Sequence, residues 1–382
     1  MRVGIITYHH HYNYGTMLQA LALQEAIIKL GYDAEIINFY QPTEKSRQEL
    51  KAIHKDRFSF YLRHPKYVFN KVKDKVAYQI ARENLEKKEK AFETFYQKNI
   101  CLSEQKFNSA NEIRENPPIY DIYVVGSDQT WNPNVGGNPD SFFLDFAPTS
   151  AKRISYAPSV SVPFLDEDSK NRFARLLDNI QVLSCRENDG ALLLEKITGR
   201  NVATVLDPTF LLDEKDWSSY FSLAECPREY ILQYLIGDRP EHRGYIKRLA
   251  HKNNLPIISI PSVPIDYADR FTTKAWCGPS EFLYLISNAT LVCTDSFHGT
   301  AFSLNFRKNV FSFYKMDDKA DDSENSRLRN IFAQFDINDR IITNFLYIPS
   351  GKELEISYNE DLLKRKINDS KNYLTKALKG ET

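Results

Sequence analysis

The sequence predicts an α/β protein built from two Rossmann-like parallel-sheet domains facing a cleft, with a basic helical insertion and a long C-terminal helix. Three observations predict it. Short apolar runs alternate with helical patterns over most of the chain, which implies parallel sheets covered on both faces. The length of 382 residues is too great for one ordinary core. Two such alternating runs meet near Asp207-Pro208. The expected domains are therefore residues 1–206, with the insertion at about 45–100, then 207–358, and a helix over 359–382 that packs across both.

The elements follow in order. Val3–Tyr8 reads as a strand, Thr16–Leu30 as a helix closed by Gly31, and Ala34–Phe39 as the next strand. From Lys45 to Lys90 the alternation stops, and the chain is helix-like and basic. Fourteen Lys or Arg there face six Asp or Glu, a net of +8. Two readings stand: a solvated helical face, or a surface for phosphate-rich partners or an anionic membrane. Strands resume at Ile122–Val125, Arg153–Ala157 and Val182–Cys185. The second half offers strands at Tyr230–Leu235, Pro256–Ile260, Thr290–Thr294 and Val310–Phe313. Helices lie near Glu241–Lys252, Pro279–Ser287 and Gly299–Phe306, and Glu360–Lys379 is a long amphipathic helix.

Composition narrows the function classes. Apolar content of 42% and charged content of 26% are those of a globular protein. A formal net charge of zero makes no case for nucleic acid, while 22 Tyr and 24 Phe supply aromatic cores or sugar-stacking surfaces. The start, Met-Arg-Val-Gly-Ile-Ile, reads as a strand rather than a signal peptide, and no apolar run is long enough to span a bilayer. A cytoplasmic protein is expected, with docking at the inner face of the membrane as the alternative. The five cysteines are odd in number, widely spaced and without C-x-x-C, so they read as reduced structural thiols with no zinc site.

Ligands of open parallel sheets bind beyond the carboxyl ends of the strands. The loops there are rich in polar and small residues: His9 to Thr16, Gly126 to Asn132, Tyr156 to Ser159, Ser184 to Glu187, and Asp295 to Thr300. A helix starting at Gly299 would aim its free N–H groups at an anion above the strand, and glycine would let a ligand approach. His298 would stand beside that anion as a group able to give and take a proton. The alternative is that Asp295 or Ser296 only caps the helix and His298 bonds a carbonyl. Arg186 could grip a carboxylate or phosphate in two-pronged fashion, or form a salt bridge with Glu187 or Asp189. Trp131 could stack on a sugar or fill a core. The adjacent His9, His10 and His11 point different ways in an extended chain, so no metal is expected there. Asn13-Tyr14-Gly15-Thr16 is neither G-x-G-x-x-G nor a Walker loop, which disfavours dinucleotides.

At these motifs the chain resembles the polysaccharide pyruvyl transferase family. The resemblance rests on Asn13 to Gln24, Gly126-Ser127-Asp128-Gln129-Thr130-Trp131-Asn132-Pro133, Ser155 to Ser159, Ser184-Cys185-Arg186-Glu187, Leu206-Asp207-Pro208-Thr209, Asp295 to Phe302, and Ser326-Arg327-Leu328. These stretches run in family order from residue 1 to about residue 335. The resemblance implies a glycosyltransferase-B-like fold. It also implies transfer of pyruvate from phosphoenolpyruvate onto two hydroxyls of a sugar, giving a ketal and phosphate, with no cofactor. The acceptor it implies is a cell-surface glycan, exopolysaccharide or capsule, or its lipid-linked precursor. Some members carry Arg-x-His at the strand–helix junction; here Ser296 holds the arginine's place and His298 matches the histidine.

Residue roles follow from that resemblance and from the charge of the donor. His298 is the expected proton-transfer group. Arg186, Ser296, Gly299, Thr300 and Arg327 are expected around the donor, with Arg327 or Lys308 supplying the charge that Ser296 lacks. Asn13, Tyr14, Gly15, Asp128, Gln129 and Trp131 are expected to face the acceptor. Two other functions use the same layout: a nucleotide-sugar glycosyltransferase and a non-catalytic glycan-binding protein.

Overall fold

The structure is a computed structural model that describes residues 1–10, 12–40, 65–135, 140–315 and 325–381, with side chains omitted for 65–72. Five strands form the first sheet: β1 (Arg2–Ile6), β2 (Asp33–Phe39), β3 (Leu102–Phe107), β4 (Ile122–Val125) and β5 (Lys152–Ser155), in the order β3-β2-β1-β4-β5. Every pairing is parallel. Val3, Ile5 and Ile6 of β1 and all four residues of β4 are buried. Such unbroken apolar strands are what a sheet covered on both faces requires.

A short parallel pair, β6 (Leu183–Cys185) and β7 (Val202–Thr204), extends this sheet through a bridge between Ile154 and Val182. The second sheet holds β8 (Ile231–Tyr234), β9 (Ile257–Ser259), β10 (Thr273–Lys274), β11 (Leu291–Thr294) and β12 (Asn309–Ser312), in the order β10-β9-β8-β11-β12, again all parallel. Both sheets have the same topology, and in each the order reverses beside the first strand. That reversal opens a crevice beyond the carboxyl ends of β1 and β4 in one sheet, and of β8 and β11 in the other.

Two helices line the junction. Helix α1 (Tyr14–Lys29) begins at Asn13, whose side chain accepts from Thr16 N, and stops before Gly31 at φ 88°. It is buried along nearly its whole length, as a helix covered on all sides must be. Helix α2 (Pro65–Asn99) carries the described part of the basic insertion; residues 45–64 lie outside the described residues. It is not merely a solvated face. Ala77 and Ala81 pack on Tyr267 of the second domain, and Phe92 and Phe95 enter the main core. Lys88 is buried and donates to the Pro261 carbonyl at 2.8 Å.

The remaining helices that matter below are α3 (Ala110–Glu115), α4 (Glu167–Leu177), α5 (Asn188–Thr198), α6 (Glu214–Ser218), α7 (Pro240–Asn253), α8 (Pro264–Ala268), α9 (Pro279–Asn288), α10 (Phe297–Asn305), α11 (Ser326–Gln334) and α12 (Glu360–Lys379). All nine residues of α10 are buried. Helix α12 starts on the second domain, where Glu360 pairs with Arg307 at 3.0 Å. It ends on the first, where Tyr373 donates to Ser155 O at 2.9 Å and Lys152 to Leu378 O at 2.8 Å. Among the described residues no helix is long and apolar enough to cross a membrane.

Strands β3, β7 and β10 are not among those the sequence predicts. Leu102–Phe107 shows apolar side chains only at its ends, and β10 has just two residues. Periodicity cannot register strands this short or this polar.

Candidate active site

The loops after β1 and β4 frame the mouth of the crevice. Asp128 sits there in the left-handed region at φ 68°, which Asp tolerates better than most residues. One carboxylate oxygen accepts from Thr16 Oγ1 at 2.8 Å and the other from Gln129 N at 2.9 Å. The acid therefore ties the start of α1 to the β4 loop. Asn13 is exposed, and Gln129 is half-buried and accepts from Asn132 Nδ2 at 2.6 Å.

Deeper in lies a buried cluster of charges. Because β6 and β7 are parallel neighbours, the residues that follow them leave the sheet side by side. Arg186 comes from the first and Asp207 from the second. Arg186 Nη1 donates to Asp207 Oδ2 at 3.0 Å and Nε to Glu187 Oε1 at 3.2 Å. Its guanidinium lies 4.0 Å above the centroid of the Phe297 ring. Burial opposes charge on Arg186, but Glu187, Asp207 and Asp128 outweigh it, so the group is held more firmly protonated than usual. Its Nη2 is buried and has no hydrogen-bond partner among the described residues, which is a costly state for a cationic donor.

Asp207 is fully enclosed. Burial pushes its carboxyl up, yet His298 and Arg186 attract the charged form and Thr209 N donates to it at 3.0 Å, so the net effect is well below the usual carboxylate range. Ser127 Oγ also donates to it at 3.1 Å.

His298 is the second residue of α10. Its Nε2 stands 3.5 Å from Asp207 Oδ2, long for a hydrogen bond but close for charge attraction. The other side of the ring rests on Gly15 of α1. A Cβ on Gly15 would fall 2.0 Å from Nδ1. The imidazole is thus held between Gly15 and Asp207, residues far apart in the chain. Beside it, Arg186, Asp207, Phe297, Asn330 and Gln334 line a narrow pocket together with Arg327 of α11. Glu187 lines it too, so two guanidiniums face two carboxylates across a space of about 10 Å³, room for about one water.

A family model described as "Polysaccharide pyruvyl transferase" matches residues 13–314. The chain belongs to the polysaccharide pyruvyl transferase family. No curated protein is significantly similar to it in sequence. Among solved structures it is similar to the UDP-GlcNAc 2-epimerase of Neisseria meningitidis bound to UDP-GlcNAc, at 11% identity over all of both chains with a TM-score of 0.46. The UDP-GlcNAc 2-epimerase of Methanocaldococcus jannaschii gives 13% identity over 96% of this chain and 92% of that one, at 0.48. The E. coli heptosyltransferase WaaC with ADP gives 10% over 97% and 100%, at 0.39. At such values nothing of their ligands or chemistry carries over.

Several residues expected at the pyruvyl transferase site have other work. Trp131 is fully buried, stacks on Phe143 at 5.5 Å and donates from Nε1 to Phe142 O, so it cannot meet an acceptor. Tyr14 is also buried; it stacks on Phe282 at 4.2 Å and donates to Cys277 O, joining the two domains. Lys308 precedes β12 at the amino edge of its sheet, the end opposite the crevice. Thr300 spends its hydroxyl on Ser296 O and Ser312 Oγ.

The start of α10 also differs from expectation. It begins at Phe297 rather than Gly299, and Ser296 caps it by accepting Gly299 N at 3.3 Å. That N–H is therefore occupied. The glycine instead lets the helix lie against β11 and β8, since a Cβ would fall 2.5 Å from Thr294 Oγ1. Asp295 turns back to accept Ile236 N and Gly237 N, tying the loop after β11 to the loop after β8. Of the three histidines, His9 meets the Tyr96 hydroxyl at 2.6 Å and His10 packs on Tyr40, while His11 lies outside the described residues.

Two site residues were given no role by sequence reasoning: Asp207 and Ser127. Both lie in motifs that carry the resemblance, but neither motif says what its acid or hydroxyl touches; for Asp207 that depends on β7, which is too short to show a period.

Proposed function

We propose that the protein transfers pyruvate from phosphoenolpyruvate to two hydroxyls of a sugar in a glycan, forming a cyclic ketal and releasing phosphate. The observation that carries this reading is the contact chain Arg186–Asp207–His298 at the meeting of the two crevices, in a chain of this family.

Each group has a task. The donor bears a carboxylate and a phosphate; Arg186 and Arg327 are the cations assigned to it, and the narrow space between them must widen to admit it. In the first step a sugar hydroxyl attacks C2 of the enol and C3 takes a proton, becoming a methyl group. In the second step another hydroxyl attacks C2 and the C2–O bond to phosphate breaks. Each attacking hydroxyl gives up one proton; one ends on C3 and the other on the departing phosphate, so the exchange balances. His298 is the group that gives and takes these protons, and the Asp207 carboxylate stands beside its Nε2. The developing phosphate charge is met by these guanidiniums. Asn13, Asp128 and Gln129 stand at the mouth, where sugar hydroxyls would be oriented.

The test is phosphate release from phosphoenolpyruvate with a panel of galactose-, glucose- and mannose-containing acceptors. Acceptor-dependent release that vanishes in His298→Ala supports the reading. No release with any acceptor, together with thermal stabilisation by a nucleotide sugar, would replace it with glycosyl transfer.

A further inference from the structure

Away from the crevice, helix α2 and the second domain enclose a groove of about 430 Å³. Three lysines of α2 line it: Lys87, Lys90 and Lys98. Spacings of three and eight residues keep them on one helix face. The stripe runs roughly 16 Å along the axis at 1.5 Å per residue. All three are exposed, and none forms an ion pair within 4.0 Å among the described residues. The one carboxylate on the lining, Glu281, accepts Gly278 N at the start of α9 and so serves its own helix.

The opposite wall has a different character. Tyr220 and Phe221 are half-buried rings, with Phe95 of α2 facing Tyr220 at 6.2 Å. Hydroxyls of Ser222 and Ser280 stand beside them, and Ser222 N donates to Ser280 O at 3.4 Å. Ser280 is in the first turn of α9, whose amino end adds positive potential.

We propose that this groove binds an acidic glycan chain, as a site for acceptor residues remote from the reacting sugar. The inference rests on the acceptor being a glycan, as argued above. The physical reasons are three. A single exposed ammonium binds a single anion weakly in salt, so a row of three selects a ligand with repeated charge. Rings flanked by hydroxyls fit sugar faces and sugar hydroxyls rather than anions alone. The site is concave and lies between two domains, which a bilayer surface cannot enter.

The test is direct binding without phosphoenolpyruvate, so it does not depend on turnover. Oligogalacturonate, a neutral oligosaccharide of equal length, an oligonucleotide and vesicles of anionic lipid are titrated against wild type and against Lys87→Gln/Lys90→Gln/Lys98→Gln. These exposed substitutions should leave thermal unfolding unchanged. Oligogalacturonate should bind wild type, weaken with added salt, and lose about tenfold or more in the triple variant, as three modest ion pairs would give. The neutral oligosaccharide should bind at least tenfold more weakly than the acidic one. Equal affinity of wild type and variant, no binding of oligogalacturonate, or a preference for the oligonucleotide or vesicles would overturn the proposal. Phosphate release from small acceptors would persist in the triple variant, separating failure here from failure of the transfer reading.

Discussion

Asp207 holds its carboxylate 3.5 Å from His298 Nε2, joining the last loop of the first sheet to the first helical turn after β11. The same oxygen accepts from Arg186. One carboxylate thus touches both the proposed proton-transfer group and a proposed donor-binding cation. Asp207→Asn keeps the shape and removes the charge. It should lower kcat by about 10²-fold or more, the usual scale of acid–base catalysis, with a smaller effect on acceptor KM. Steady-state phosphate release checks this, with circular dichroism to confirm the fold. Unchanged kcat would remove Asp207 from the mechanism.

Gly15 is predicted to be sensitive for a steric reason. Gly15→Ala would set a methyl 2.0 Å from His298 Nδ1. The ring must turn away or the domains must part, at a cost of about 1–3 kcal/mol. Activity should fall far more than the melting temperature. Full activity in Gly15→Ala would mean that the ring position seen here is not the working one.

Two cations near α10 separate by position. Arg327→Ala should raise the KM for phosphoenolpyruvate, because Arg327 lines the same pocket as Arg186. Lys308→Ala should leave KM and kcat unchanged, because Lys308 lies at the other edge of the sheet. The reverse pattern would invalidate the donor pocket.

Trp131→Ala tests the core assignment. A fully buried indole with its N–H bonded should cost about 3–5 kcal/mol when truncated. Urea unfolding measures it. A stable variant with weakened acceptor binding would restore the sugar-stacking role.

His242 should make stability depend on pH. It is stacked on Phe313 and Phe345, and burial, then Arg239, pushes its pKa down to about 4 from 6.5. Between these values the unfolded chain binds the proton more readily than the native one. Its contribution is thus complete above about 6.5 and is lost as pH falls toward 4. His242→Phe should flatten the melting temperature across that window; an unchanged slope would assign the dependence elsewhere.

The sequence by itself determined the two parallel sheets, because strands buried on both faces leave long apolar runs and their helices leave a 3.6-residue period. It also placed Arg186 and His298 just beyond the ends of strands, where ligands of such sheets bind. Tertiary structure alone decided what surrounds them. Which way Trp131 and Tyr14 point, what Gly15 rests on, and that Asp207 completes the cluster depend on contacts between segments far apart in the chain. Local periodicity carries no record of those contacts. Lys308 shows the same limit, since ten residues from His298 are enough to cross the sheet from one edge to the other. The basic helix shows it as well: its charge was evident in the sequence, but the groove it forms required a second domain to supply the other wall.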